Sequence, residues 1–354
     1  MQDPDEGQLL ELAREGDSAA FDELISPYHG ELHAHCYRML GSVLDADDAL
    51  QDALLGAWKG LGGFEGRSSL RNWLYRIATN ASMKVGGRRP KRQLSLDHGP
   101  AYDSPHDLGE PVLEPVWLEP YPESMLAWAT GPADPAARYE ARESVELAFV
   151  AALQHLPASQ RAVLILREVL AFPAAEVAEL LDTSVASVNS SLQRARANLD
   201  QRVTGPSQQV TCRELGDDGQ KALLDAFVTA WERSDVPAIL ELLVEDARLS
   251  MPPLPAWFDG RESVGRFMSE RMFATPWRVV PMTASGQVAL ACYQGTPGGS
   301  TYALGAVTVL TLRGERVAEL TSFLAPSVDA RFGLPEELGE TVGESDEFAR
   351  SADS

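Results

Sequence analysis

Between residues 5 and 83, apolar side chains recur at steps of three and four, the period of helices buried along one face. Leu9, Leu10 and Ala13 form one such set, and Phe21, Leu24, Ile25 and Tyr28 the next. Asp17-Ser18 precedes the second set as a helix start. Asp45-Ala46-Asp47-Asp48 opens a further helix with Leu50, Leu54 and Trp58 on one side. Its acids suit the positive end of the helix dipole. Gly60, Gly62, Gly63 and Gly66 make a loop, and Ser68-Ser69 starts a helix bearing Leu70, Trp73, Leu74 and Ile77.

Residues 93–137 lose this period. Pro100, Pro105, Pro111, Pro115, Pro120, Pro122, Pro132 and Pro135 break any long helix. Trp117, Leu118, Tyr121, Leu126 and Trp128 make the stretch too apolar for a disordered spacer, so parts of it are expected to dock on a domain. Helices resume at about 138 and run to about 202. After Gly205-Pro206 and a polar stretch, the pattern predicts helices at 221–232, 236–243 and 263–268. Strands follow at 277–283, 287–293, 302–313 and 316–323, the last two joined by Gly314-Glu315 as a hairpin. Helices first and strands after predict an α+β domain with a curved antiparallel sheet. From Pro335 onward the chain carries seven acids and one Arg, which predicts disorder.

The 354 residues correspond to roughly two to three domains. Apolar residues at 44% and charged residues at 23% exclude a wholly disordered chain. Three distant cysteines (Cys36, Cys212, Cys292) exclude a disulfide scaffold and a Cys-rich zinc module. No apolar run is long enough to span a membrane, and the acidic N-terminus lacks the apolar core of a signal peptide. The expected compartment is the cytoplasm.

The net charge of −22 argues against a protein that coats nucleic acid without specificity. It hides one exception. Window 66–96 holds eight cations (Arg67, Arg71, Arg76, Lys84, Arg88, Arg89, Lys91, Arg92) and no acid. In so acidic a chain this is the best candidate for a phosphate-contacting surface. The run alone fits a solvated basic face equally well.

Within 170–199, Pro173 stands at a helix start and Glu176-Val177-Ala178-Glu179-Leu180-Leu181 forms a short helix. Asp182-Thr183-Ser184 makes a tight turn with capping chemistry. Val185, Val188, Leu192, Ala195 and Leu199 then form the apolar stripe of a second helix. Its other face holds Ser187, Asn189, Ser190, Gln193, Arg194 and Arg196, groups that reach base edges and phosphates from a major groove. Taken alone, a helical hairpin in a bundle fits as well.

The run from Leu156-Pro157-Ala158-Ser159-Gln160-Arg161 through Glu176-Val177-Ala178-Glu179-Leu180 to Ser184 and Leu192-Gln193-Arg194-Ala195-Arg196 resembles region 4 of sigma-70 family factors of the extracytoplasmic-function type. In that family this region reads the −35 promoter element. Asp45-Ala46-Asp47-Asp48-Ala49-Leu50-Gln51-Asp52 resembles the region 2 helix that docks on core RNA polymerase. Phe64 and Leu70-Arg71-Asn72-Trp73-Leu74-Tyr75-Arg76-Ile77-Ala78-Thr79-Asn80 resemble the segment that melts and reads the −10 element. The resemblance covers about 5–92 and 138–202.

It implies three sets of residues. The −10 set is Arg67, Arg71, Asn72, Trp73, Arg76, Asn80, Lys84, Arg88 and Arg89. The −35 set is Ser184, Ser187, Asn189, Ser190, Gln193, Arg194 and Arg196. The polymerase set is Asp45, Asp47, Asp48, Gln51 and Asp52. Melted DNA offers unstacked bases to planar groups. Trp73 fits core packing better than base contact, and Arg71, Arg76 and Asn80 are the stronger candidates. Gly86-Gly87 departs from the family and should end its helix early.

Residues beyond region 4 carry a third resemblance. Ala226-Phe227-Val228-Thr229-Ala230-Trp231-Glu232-Arg233-Ser234-Asp235-Val236, Leu243-Val244-Glu245-Asp246-Ala247 and Gly260-Arg261-Glu262-Ser263-Val264 resemble a SnoaL-like domain, the α+β cone shared with polyketide cyclases and ketosteroid isomerase. A minority of sigma factors carry one, and there it modulates activity in cis. Candidate pocket residues are Met251, Trp257, Phe258, Trp277, Tyr293 and Tyr302, each also readable as core. No His follows His155, and Asp246 and Asp259 are expected to face water, so acid–base catalysis is not expected. The stiff loop Met251-Pro252-Pro253-Leu254-Pro255-Ala256-Trp257 suits docking on the linker or region 2, or closing a pocket as its lid. His29 and His33 are four apart but lack a second ligand pair, so no metal is expected. No cofactor motif is present, and Gly60-x-Gly62-Gly63 is a turn.

The reading is a multidomain protein. It comprises sigma region 2 at 5–92, an acidic Pro- and Trp-bearing linker at 93–137, sigma region 4 at 138–204, a linker at 205–217, a SnoaL-like cone at 218–328 and an acidic tail at 329–354. Its expected function is a promoter-specificity factor binding core RNA polymerase and promoter DNA, regulated in cis by intramolecular contacts of the cone with the linker or region 2. The alternatives are a ligand-sensing DNA-binding regulator and, less favoured, a cyclase or isomerase fusion.

Overall fold

The structure is a computed structural model describing residues 6–339 except 115, 131–134, 204 and 326–329. It divides into two compact units, Met1–Arg92 with Met125–Gly205, and Gln93–Ser124 with Pro206–Ser354.

The helical unit begins with α1 (Glu6–Arg14), α2 (Ser18–Leu40), α3 (Val43–Gly60) and α4 (Leu70–Gly86). Asp17 caps α2 by accepting from Ala19 N and Ala20 N at 2.9 and 3.1 Å. Gly41, at φ +70°, ends α2 where a side chain would be strained. Helix α3 starts before Asp45, because Ser42 caps it by accepting from Asp45 N at 3.1 Å. Ser69 caps α4, and that helix stops at Gly86-Gly87 as the glycines predict. Small residues Ala46, Ala49, Ala53 and Ala57 form the buried face of α3 and let helices approach closely.

The other unit takes its first segment from the linker. Here α5 (Ser95–His98) leads into an extended strap. Trp257 N and O atoms hold it on both sides: Tyr102 N donates to Trp257 O at 2.8 Å, and Trp257 Nε1 donates to Gly99 O at 2.8 Å. Val112 N donates to Pro253 O at 3.0 Å, and Ser95 Oγ donates to Leu254 O at 3.2 Å. Further on, Tyr121 N donates to Ser285 Oγ at 2.9 Å and Ser285 N to Tyr121 O at 2.7 Å. Gly109, at φ +69°, lies where an added Cβ would meet Pro255 Cγ at 2.8 Å. Tyr102 and Leu108 pack on the apolar core of the cone. The proline-rich stretch is thus tied to the cone at intervals between Ser95 and Tyr121 through backbone and side-chain groups.

The chain returns to the helical unit with α6 (Pro135–Glu143), α7 (Leu147–Gln154) and α8 (Ala158–Leu164), the last continuing into a π turn at Ile165–Val169. Then come α9 (Ala174–Leu180) and α10 (Val185–Asp200). Asp182 takes φ +50° in the turn between them, and Ser184 caps α10 by accepting from Ser187 N at 3.2 Å.

The cone opens with α11 (Gln208–Glu232), kinked at Gly216, followed by α12 (Val236–Glu241). The expected linker at 205–217 is therefore mostly helix. Buried Gln208 fixes it to the sheet by donating to Leu312 O at 3.1 Å and accepting from Leu312 N at 2.6 Å. The sheet holds β1 (Leu243–Ser250), β2 (Trp257–Asp259), β3 (Trp277–Ala284), β4 (Gln287–Gly295), β5 (Tyr302–Arg313), β6 (Arg316–Leu324) and β7 (Glu337–Leu338), with α13 (Arg261–Glu270) between β2 and β3. Its order is β2-β1-β6-β5-β4-β3, with β7 added on β5. Strand β1 runs parallel to β6, so the sheet is mixed rather than antiparallel throughout. Strands β1, β2 and β7 escape the hydrophobic pattern: β1 carries exposed Glu245-Asp246 at its middle, and β2 and β7 are three and two residues long. Pairing of Leu338 with Tyr302 orders part of the expected tail, while 340–354 lie outside the described residues.

Candidate nucleic-acid interface

Helix α10 separates its faces cleanly. Val188, Leu192 and Ala195 are buried, and Ser184, Ser187, Asn189, Ser190, Gln193, Arg194 and Arg196 are all exposed. Arg196 is steered by Glu168 at 2.6 Å, and the Ser184 hydroxyl is engaged in the cap. Val185 departs from the expected stripe. It is 43% exposed, since it lies in the first turn beyond the reach of the underlying helices.

Helix α4 is more divided. Arg76, Asn80 and Lys84 are exposed, as are Arg67 on the preceding loop and Arg88 and Arg89 after the helix. Arg71 faces inward instead. Its guanidinium pairs with Glu31 at 2.9–3.2 Å and lies over the rings of Tyr75 and Phe172 at 4.9 and 5.2 Å. Burial opposes its charge most strongly of any single cause, but the hydrogen bonds to Glu31 together with the charge interactions with Tyr75 and Glu31 outweigh it, and its pKa is raised. Arg71, expected as a leading DNA contact, joins helices in this structure. Asn72 Nδ2 donates to Glu176 Oε2 on α9 at 2.7 Å. Trp73 is half-buried against Phe64, ring centroids 5.0 Å apart.

The inner face of α4 is tied by buried His35. Thr79 Oγ1 donates to Tyr75 O at 2.7 Å, so the 2.9 Å contact between His35 Nε2 and Thr79 Oγ1 is donated by the imidazole. Burial, helped by Arg38 and Arg71, lowers the His35 pKa to about 3 and keeps the ring neutral. Arg161 links α8 to the rest of the unit by donating to Leu153 O at 2.8 Å, to Leu156 O at 3.1 Å and to Met39 O at the end of α2. Burial lowers its pKa to about 10.

The acidic set on α3 also splits. Asp45 is 3% exposed and paired with buried Arg92, with Arg89 at 3.4 Å. Asp45, expected on a partner surface, is an internal ion-pair residue here, because the basic run folds back over the start of α3. Asp48, Gln51 and Asp52 are exposed, with Arg89 3.6 Å from Asp48 and Lys84 3.4 Å from Asp52. Asp47 pairs with His33 at 3.1 Å, which accounts for that histidine structurally. Leu44 and Leu55, 53% and 51% exposed, were not among the expected residues. Their signal was the spacing 44, 48, 51, 55, one helix face shared with Asp48 and Gln51. Nearby, Phe21, Leu54, Leu55 and Trp58 line a groove of about 610 Å³ with Asp47 and Gln51.

The six candidate pocket residues do not converge. Met251 and Phe258 belong to the cone's core, and Trp277 packs at its edge. Tyr293 pairs with Leu304 and Arg278 beside a bulge at Cys292 and is buried outside the cone's core cluster, and Arg278 lies over the Tyr302 ring at 5.5 Å. Trp257 is engaged by the strap. The core face instead carries a buried polar row, with Thr308 Oγ1 3.4 Å from Cys292 Sγ and 2.9 Å from Ser322 Oγ. Asp246 pairs with Arg313 at 2.8 Å and Asp259 with Arg248 at 3.2 Å, both exposed. Among the described residues no group of three His, Cys, Asp or Glu could hold a metal, and no helix is long and apolar enough to cross a membrane.

Residues 24–84 match the sigma-70 region 2 family, 146–199 the sigma-70 region 4 family, and 224–320 the SnoaL-like domain family. Two helical promoter-reading modules fused to an α+β cone define a transcription initiation factor of the sigma-70 class. The chain is 40% identical over 329 residues to the ECF RNA polymerase sigma factor SigG of Mycobacterium tuberculosis, covering 92% of this chain and 86% of the relative. It therefore belongs to the ECF sigma factors, the promoter-specificity factors that bring core RNA polymerase to promoter DNA. It is also 28% identical over 199 residues to the ECF RNA polymerase sigma-E factor of Escherichia coli, covering 55% of this chain and 92% of that one. In fold it is similar to the crystal structure of the M. tuberculosis extracytoplasmic function sigma factor SigJ, with TM-score 0.54 and 21% identity over 89% of this chain and 99% of that one.

Proposed function

We propose that α10 reads the −35 element through Ser187, Asn189, Ser190, Gln193, Arg194 and Arg196, and that α4 with its following loop engages the −10 element through Asn72, Trp73, Arg76, Asn80, Lys84 and Arg88. The observation that carries this reading is the fully exposed polar face of α10 above a buried apolar stripe. Asp47, Asp48, Gln51 and Asp52, with Leu44 and Leu55, form the polymerase-facing side of α3.

The two DNA-reading helices belong to one compact unit here, with Asn72 bonded to Glu176. The −10 and −35 elements lie about 25 base pairs apart, roughly 85 Å at 3.4 Å per pair. Helix α4 cannot keep its bond to α9 while each module sits on its own element. The structure therefore corresponds to a closed state, and engagement of a promoter breaks the Asn72–Glu176 bond. The cone controls this step in cis by holding the strap that joins the two modules in sequence. No catalytic step is assigned to the cone.

Run-off transcription with core polymerase tests the scheme. The full chain should direct transcripts from cognate promoters. Replacing Gly109 by Val, which drives a side chain into Pro255, should release the strap and alter transcript yield while α10 still binds its element. Unchanged yield with a demonstrably released strap removes the cone from control.

A further inference from the structure

We infer that Val185 is a specificity-determining residue of the −35 contact and recognises the C5-methyl group of a thymine. The inference rests on the reading of α10 as the −35 helix. Val185 is the first residue of a 16-residue helix, immediately after its cap, and the N-terminal residues of a recognition helix are the ones that meet base edges.

At about 100° per residue, Val185 lies at the border between the two faces, about 20° from Leu192 and about 40° from Asn189, on the edge of the stripe formed by Val188, Leu192 and Ala195. Its 43% exposure agrees, while Val188 is fully buried. Ala186 beside it is also exposed. A scattered exposed valine on a surface needs no account. This one supplies branched apolar surface on a reading face otherwise made of polar and small side chains. Of the four bases only thymine presents a methyl in the major groove, and its natural partner is apolar. Asn189 and Gln193 would supply hydrogen bonds to neighbouring base edges, and Val185 the methyl contact.

The test uses the full chain with core polymerase on promoter duplexes whose −35 thymines, on either strand, are replaced one at a time by deoxyuridine. This removes the methyl and leaves every hydrogen-bonding group in place. One buried methyl corresponds to roughly a fourfold change in affinity. Binding should fall by about that factor at one position, or at two adjacent positions, for the wild type. Val185→Ala should bind the thymine promoter as weakly as the wild type binds the deoxyuridine one, and should show no further loss on substitution. Val185→Thr, which keeps one methyl, should retain part of the sensitivity. Absence of any deoxyuridine effect, or an equal effect in Val185→Ala, overturns the inference. A duplex with transversions through the −35 element separates the two claims. If binding depends on that sequence but not on the methyl, the Val185 assignment alone fails. If binding is indifferent to the sequence, the −35 reading fails with it.

Discussion

Helices α4 and α10, the two helices proposed to face DNA, spend their polar residues differently. On α10 the buried apolar stripe holds the helix, and its exposed polar face carries few ties, the Arg196–Glu168 pair and the Ser184 cap among them. On α4 several polar residues of the first three turns are also structural. Arg71 is bound to Glu31, Asn72 to Glu176, and Thr79 to His35. A helix that packs through polar groups cannot release them all to DNA, so exposure separates readers from ties. Arg76, Asn80 and Lys84 fall on the exposed side of α4.

The sharpest test of this division is on α10. Gln193→Ala should weaken binding to the −35 duplex by about 1–3 kcal/mol at one base pair, roughly 5- to 150-fold. It should leave thermal stability unchanged, since the residue is exposed. A drop in melting temperature comparable to the loss of binding would break the comparison.

The inner side of α4 makes a pH prediction. His35 is held neutral, with its pKa lowered to about 3 by burial, against 6.5 in the unfolded chain. The unfolded state alone takes up the proton between those values. This contribution is therefore complete above pH 6.5 and is lost as pH falls toward 3, at about 1.4 kcal/mol per pH unit. By pH 5 the wild type should have lost about 2 kcal/mol that His35→Gln does not lose. Equal pH dependence in urea titrations of the two would show that the ring is not held neutral.

Arg71→Ala and Arg76→Ala sharpen the contrast within one helix. Arg71 is 38% exposed in its side chain and Glu31 14%, so loss of the pair sits between a surface and a buried ion pair, about 1–2 kcal/mol of stability. Arg76 is exposed, and its removal should weaken DNA binding and its salt dependence without lowering stability. Calorimetry and salt-dependent binding of the two variants would reverse the assignment if Arg76→Ala were the less stable.

Much of this architecture was legible in the sequence for a simple reason. Helical period, capping Asp17 and Ser69, and the turn at Asp182 are local signals, as is the Gly314 hairpin. What escaped depends on partners distant in sequence. The acid Asp45 reads as surface until Arg92, 47 residues on, closes over it. Arg71 reads as a DNA contact until Glu31 and Phe172 surround it. Strand β1 exists because β6 and β2 pair with it, against its own pattern. Tyr293 reads as pocket lining, yet it is buried outside the cone's core cluster beside a bulge that no local pattern announces. Charge and amphipathicity identify which residues are worth noting, and pairing between regions decides which of them remain available.

The smallest effect bears most directly on how the modules separate. The bond from Asn72 Nδ2 to Glu176 Oε2 is 2.7 Å long and half-buried. A hydrogen bond to a charged acceptor contributes about 1.5–3 kcal/mol in favourable settings, but water replaces it here when the helices part, so about 0.5–1 kcal/mol is expected. Glu176→Gln removes the charge and keeps the shape, while Asn72→Ala would also remove a candidate DNA contact. If the bond helps hold the closed state, Glu176→Gln should shift the closed–open equilibrium by about two- to fivefold, since 1.4 kcal/mol is a factor of ten. Fluorophores on exposed positions of α4 and α10 would report that shift as a larger mean separation without DNA. Asn72→Ala should open the unit equally yet bind −10 DNA less well. Opening in neither variant would leave packing of Arg71 against Phe172, rather than this bond, as what holds α4 to the helix-turn-helix.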